Sequence, residues 1–285
     1  MTLFLLLLGG LASAASLELL LKKVLYDVDT KTMLLYRGLF MIGMSIFAIS
    51  FFPLEVTAMH LGMMLLVGIL AALAYFLRSN ALKNLEISYV APTFGLSPLF
   101  VTLFAYLIMK ELPSLIQIAG IVLVSTSIYI LELKPKMHFI EPFKKFLKNS
   151  YARQSLYSCM LFGITVSLDR LILNSGVHPL TYLFYVWFFI NLYHIADAIF
   201  SKQAKKLKGK HAFPIFLAAL LIVVLHLFFY NALAIAHAGV VSAIYALQIF
   251  IIAIAGGNFF HDHHRKKRSL AALLVTIGGL LIALG

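Results

Sequence analysis

Apolar residues run along this chain in long blocks, broken by short segments rich in lysine and arginine. Ten blocks approach the roughly 20 residues that a membrane helix needs. They cover residues 2–21, 34–52, 61–77, 89–109, 115–131, 156–173, 180–200, 212–233, 239–259 and 270–284. They are too long, and too rich in Leu and Ala, for the alternating strands of a membrane barrel. The pattern predicts an all-α integral membrane protein with ten transmembrane helices. The longest polar segment is a basic linker at 133–154, in which Phe139, Phe143, Phe146 and Leu147 alternate with Lys144, Lys145 and Lys148. That spacing predicts a short helix lying on the membrane surface. Ala12-Ser13-Ala14 resembles a signal-cleavage site, but no basic segment precedes it and the apolar run continues past it. The first block therefore reads as a retained span.

Composition removes the alternatives. Of 285 residues, 62% are hydrophobic and 12% charged, about half the charge of a soluble domain. A mean hydropathy of +0.98 excludes a soluble globular domain, a disordered chain and a coiled coil. With Gly at 17 and Cys at 1, collagen and disulfide scaffolds go too, and Cys159 has no partner for an intramolecular disulfide.

The net charge of +12 is a matter of topology. Loop 1–2 carries Lys22, Lys23, Lys31 and Arg37, and loop 3–4 carries Arg78 and Lys83. The linker, loop 7–8 (from Lys202 to Lys210) and loop 9–10 (Arg265, Lys266, Lys267, Arg268) hold most of the rest. In all, 21 of 23 basic residues fall in odd-numbered loops. The positive-inside rule then places those loops in the cytoplasm and both termini outside a multi-pass cytoplasmic membrane protein. Nucleic acid is not needed to explain the charge.

The chain also repeats itself at a shift of 151 residues. Asn80-Ala81-Leu82 matches Asn231-Ala232-Leu233, Ser16-Leu17-Glu18 matches Ser167-Leu168-Asp169, and Glu111 matches Asp262. Each repeat holds five spans, at 1–132 and 155–285. An odd number of spans inverts the second repeat relative to the first, an architecture of secondary transporters with a site near the midplane. Asn80-Ala81-Leu82, followed by Ile87-Ser88-Tyr89-Val90-Ala91-Pro92, Pro98, Lys110-Glu111 and Gly120, resembles an EamA-type half of the drug/metabolite transporter superfamily. The second half keeps Asn231-Ala232-Leu233 and Gly239-Val240-Val241-Ser242, and departs at His261-Asp262-His263-His264. The resemblance covers nearly the whole chain. It implies two inverted five-helix repeats and secondary transport of a metabolite, without naming the substrate. It also implies termini in the cytoplasm, against the charge distribution, which is followed here.

A charge near the bilayer centre costs about 2.5–3.5 kcal/mol on insertion scales, so polar residues inside spans are candidates for function. In span 6, Ser158, Thr165 and Asp169 share one helical face, with Arg170 about 100° away. Asp169 and Arg170 line a polar cavity, or form structural pairs to other helices. Span 7 carries Trp187, Asn191 and His194 at offsets of 4 and 3. His226 and Tyr230 lie one turn apart in span 8, and Ser242, Tyr245 and Gln248 recur at spacing 3 in span 9. The three stripes together predict an aqueous pocket with stacking surfaces; singly, each residue equally suits interhelical hydrogen bonding.

Glu18 is a second coupling candidate beside Asp169. The related small multidrug resistance proteins use a glutamate in their first helix, but their pattern places Ala15 at that position. Its plainer reading is a pair with Lys22 at i+4. His261-Asp262-His263-His264 has metal-ligand residue types but abuts Arg265-Lys266-Lys267-Arg268, which repels a cation, so no metal is expected there. The basic run reads instead as a cytoplasmic anchor that meets anionic lipid headgroups. No phosphate-cradling loop follows any span, and no cofactor is expected.

The leading reading is a secondary transporter, monomer or homodimer, moving a small polar metabolite by alternating access. A carrier or flippase of a lipid-linked or nucleotide-linked substrate is the second. A membrane-embedded enzyme is the third: Asp169, His194 and His226 supply acid–base groups, but no nucleophile or metal motif accompanies them.

Overall fold

The computed structural model describes residues 2–48, 54–85, 93–132, 140, 144, 148–259 and 265–284. Among these the regular structure is helical, with no strand. The helices are α1 (Thr2–Asp27), α2 (Thr30–Ala48), α3 (Ala58–Asn84), α4 (Ser97–Met109), α5 (Leu115–Glu132), α6 (Ser150–Asn174), α7 (Pro179–Ser201), α8 (Ala212–Ile235), α9 (Ala238–Phe259) and α10 (Arg265–Leu284). A 3-10 turn, Gly209–His211, leads into α8.

Local chemistry sets several ends. α7 starts with Pro179 in its first turn, where the missing N–H costs nothing, and the His178 ring accepts a hydrogen bond from the Leu180 amide. α4 likewise begins with Pro98 and closes on Lys110, whose φ of 58° lets its amide donate to the Tyr106 carbonyl. Gly176, at φ 95°, turns the chain between α6 and α7, a conformation that glycine adopts without strain.

Among the described residues, four segments are long and apolar enough to cross a membrane: α3, α6, α7 and Gly209–Ile235. Shorter apolar helices cover α4, Leu115–Ile130, Ala238–Gln248 and Leu273–Ile282. The helices follow the 151-residue shift, which carries α2 onto α7, α5 onto α10, and Ala58–Asn84 onto residues 209–235.

Two compact units form, each drawing helices from both repeats. The first contains Met1–Ser79 and Leu168–Ile235, the second Asn80–Ser167 and Ala236–Gly285. In the first unit α1 packs on α8, and α2 packs on its repeat partner α7. In the second, α5 packs on its repeat partner α10, and α9 packs on α4 and α5. The core there joins Ile121, Val124 and Ile128 of α5 to Val240, Ala243 and Ala246 of α9 and Ile282 of α10. Gly120 and Gly278 let the backbones of α5 and α10 touch, for a β-carbon on Gly120 would stand 2.6 Å from the Gly278 carbonyl oxygen. Small residues serve this purpose widely between membrane helices.

Three sequence expectations fall outside the described residues: most of the surface helix in the linker, the Ile87–Pro92 segment of the resemblance, and the His261–His264 run.

Candidate functional site

Unit by unit, the structure separates the candidates. Trp187, Asn191, His194, His226, Tyr230, Asp169, Arg170 and Glu18 belong to the first unit. Thr165, Ser242, Tyr245 and Gln248 belong to the second.

In the first unit the stripe on α7 turns inward. Trp187, Asn191 and His194 are 2%, 0% and 3% exposed. The Trp187 ring lies 5.3 Å from Tyr75 of α3 and 4.7 Å from His226 of α8. His226 lies 5.3 Å from Tyr230, whose ring meets Tyr182 edge-on at 4.9 Å. The Tyr182 hydroxyl donates to the buried Asp169 carboxylate. An unbroken path of rings therefore leads from Tyr75 and Trp187 to Asp169.

One tautomer of His226 satisfies its neighbours. Nδ1 faces the Ile222 carbonyl oxygen at 2.9 Å, an acceptor only, so Nδ1 carries the proton. Nε2 then accepts from the Tyr75 hydroxyl at 3.3 Å. Tyr75 and His226 are themselves related by the 151-residue repeat.

The sequence reading passed over Arg37, Tyr75 and Tyr182. Arg37 needs a correction, because it was counted among the cytoplasmic charges of loop 1–2. It lies inside α2 and is 1% exposed. Its guanidinium sits 5.4 Å from the Tyr75 ring centre and 5.8 Å from that of Trp187, both within cation–π range. Gly38 brings α2 close to α7 beside it, a β-carbon there standing 3.4 Å from Asn191 Cβ. The signal was present in the sequence. Leu34 and Met41, at three residues before and four after, are buried on the same helical face, so Arg37 stands in the middle of an apolar stripe.

Two other charges find specific places. Glu18 pairs with Arg78 of α3. Arg170 donates from Nη1 to the Leu233 carbonyl oxygen at 2.7 Å. That carbonyl lies in the last turn of α8, where helix carbonyls lack partners of their own.

In the second unit Thr165 is buried, and its hydroxyl donates to the Phe162 carbonyl at 3.2 Å. Tyr245 is buried and Ser242 half-buried on α9. The Gln248 side-chain oxygen is buried and has no hydrogen-bond partner among the described residues. This stripe lies one residue off the apolar face of α9 that meets α5, about 100° around the helix. Glu111 accepts from His237 Nδ1 at 2.8 Å and from the Ala238 amide at 3.0 Å, holding the start of α9. Among the described residues no group of three metal-ligating side chains forms.

These features define a multi-pass helical membrane protein built of related halves, with a buried polar and aromatic cluster among its helices. The sequence profile of the EamA-like transporter family matches residues 1–133 and 154–284, and the chain belongs to that family. It is thereby a transporter of the drug/metabolite type. A solved structure described only as "Crystal structure of protein" aligns with it at a TM-score of 0.74 and 11% identity, over 98% of this chain and 96% of that one. That likeness bears on the fold alone. No match was found among curated proteins.

Proposed function

We propose that this chain is a secondary transporter that moves a small polar metabolite by alternating access, through ten spans arranged as two inverted five-helix repeats. The basic residues of its odd-numbered loops support termini outside the cytoplasmic membrane. Within the first unit the substrate-binding candidates are Trp187, Asn191, His194, His226 and Tyr230 of α7 and α8; within the second they are Ser242, Tyr245 and Gln248 of α9.

The observation that carries this reading is Asn191. It is fully buried in a helix long and apolar enough to cross a membrane, yet among the described residues neither its side-chain oxygen nor its nitrogen has a hydrogen-bond partner. A stable core rarely leaves such a group unsatisfied, because each unmade buried hydrogen bond costs about 1–3 kcal/mol. A polar ligand that comes and goes accounts for it. Vesicles reconstituted with the protein and preloaded with metabolite mixtures test the proposal. Counterflow of a labelled metabolite without ATP is expected. Uptake that requires ATP, or no exchange by folded protein across the mixtures, would count against it.

A further inference from the structure

We infer that Arg37 is an anion-recognition site, and that the substrate class of this transporter is a small organic acid whose carboxylate meets the Arg37 guanidinium. The inference deepens the transport reading and rests on it for its biological role.

The first ground is burial without neutralisation. Arg37 is 1% exposed, and among the described residues its Nε and Nη2 nitrogens have no hydrogen-bond partner. Every carboxylate described in the first unit is placed elsewhere. Glu18 pairs with Arg78, and Asp197 with Lys31. Asp27 faces His211, and Asp29 takes Thr32. Asp169 takes Tyr182, and Glu55 is exposed. Among the described residues no acid lies within salt-bridge distance of Arg37. A buried cation without an anion is costly, because its lost hydration is not replaced by an opposite charge.

The second ground is geometry. Tyr75 and Trp187 approach the guanidinium at cation–π distance. Such rings hold a cation in place but offer no hydrogen-bond acceptor in the guanidinium plane. Nε and Nη2 remain open for a ligand, and this edge of the fork matches the two oxygens of a carboxylate. On the facing helix, Asn191 and His194 contribute further buried, unpartnered polar atoms: both side-chain atoms of Asn191, and Nε2 of His194. The Asn191 amide supplies both a donor and an acceptor, suited to a second polar group on the acid. The Tyr75 hydroxyl is already committed to His226. Arg37 therefore supplies the charge recognition and α7 the polar specificity.

The protein carries its own reporter. Its single tryptophan is Trp187, 5.8 Å from the Arg37 guanidinium. Purified full-length protein in detergent is titrated with lactate, benzoate and nicotinate, each against its uncharged amide, and with inorganic phosphate, while Trp187 emission and thermal stability are followed. At least one carboxylate is expected to change the emission saturably and raise the melting temperature, with its amide at least tenfold weaker. Arg37→Gln should lose this response, and Arg37→Lys should retain part of it. The comparison of acid with amide is made on the parent protein, so it stands even where a variant fails to fold. Amides equal to acids, a response to phosphate alone, an unchanged response in folded Arg37→Gln, or no response to any of the acids would overturn the inference. Counterflow separates it from the transport reading. An acid that binds at Arg37 but never crosses the vesicle membrane defeats transport and leaves the anion site. Counterflow of neutral metabolites without any acid response does the reverse.

Discussion

Trp187 is the residue on which the first unit's cluster turns. It touches Tyr75 and His226 and lies within cation–π range of Arg37. Tyr245, on α9, is its counterpart among the candidates of the second unit, buried but for 6% of its surface. A desolvated aromatic that stacks on a ligand, or faces its charge, contributes about 0.5–2 kcal/mol, several-fold in affinity. Trp187→Ala and Tyr245→Ala are therefore expected to weaken substrate binding by that margin while folded protein is still recovered. Titration of both purified variants decides it, and unchanged affinity in both would remove these aromatics from the site. At this scale the sequence was a partial guide. The stripe Trp187, Asn191, His194 could be read from its spacing, because a run of offsets 4 and 3 puts side chains on one face whatever packs against it. Arg37 was read as a loop charge because it sits near the start of an apolar block among other basic residues. Only the packing of α2 on α7 shows that it is inside. Tyr182 looked like any tyrosine near a helix end until its hydroxyl was seen on Asp169.

Helices were legible as apolar runs, and their pairing was not. The described helices follow the 151-residue shift, but the partners of each helix are set by contacts far apart in sequence. The compact units accordingly mix helices from both repeats. Where α5 meets α10, the approach depends on Gly120 and Gly278. A β-carbon at Gly120 would also stand 2.8 Å from Ile282 Cγ1 and 3.0 Å from the Ile282 amide nitrogen. The obstruction is largely backbone and cannot rotate away. Gly120→Ala is expected to destabilise the protein by about 1–3 kcal/mol through overpacking. Gly43 of α2 is the control, since nothing stands within 4 Å of its would-be β-carbon. There alanine should be neutral or stabilising by up to about 1 kcal/mol, through its better helix propensity. Thermal melts of the two variants beside the parent make the comparison. Equal melting temperatures for Gly120→Ala and the parent would show that α5 and α10 do not pack through these glycines.

For the whole molecule, orientation and energy coupling remain the properties that link the two repeats to a transport cycle. The loop charges that survive the removal of Arg37 from their number still predict termini outside. A single cysteine in the 133–154 linker of a Cys159-free protein should accordingly resist an impermeant thiol reagent in intact cells; labelling there would invert the assignment. Coupling needs a group within the membrane that changes charge during the cycle. The repeat relates two acids, and their surroundings differ. Glu18 is neutralised by Arg78, whereas Asp169 takes a hydrogen bond from Tyr182 and has no cation within salt-bridge distance among the described residues. Tyr75 of α3, Tyr182 of α7 and Tyr230 of α8 each interact electrostatically with it, and a tyrosine hydroxyl is not a counter-charge. If transport is proton-linked, Asp169 is the first candidate. Asp169→Asn keeps the shape and an oxygen to accept from Tyr182, so the variant should reach the membrane and still exchange substrate between the two faces of a vesicle. It should lose accumulation driven by an imposed pH gradient, because the amide cannot exchange a proton. Exchange at equal pH and uptake under a gradient, measured on the same vesicles, separate the two activities. A variant that accumulates substrate like the parent would make Asp169 a structural acceptor for Tyr182 and leave coupling to another group.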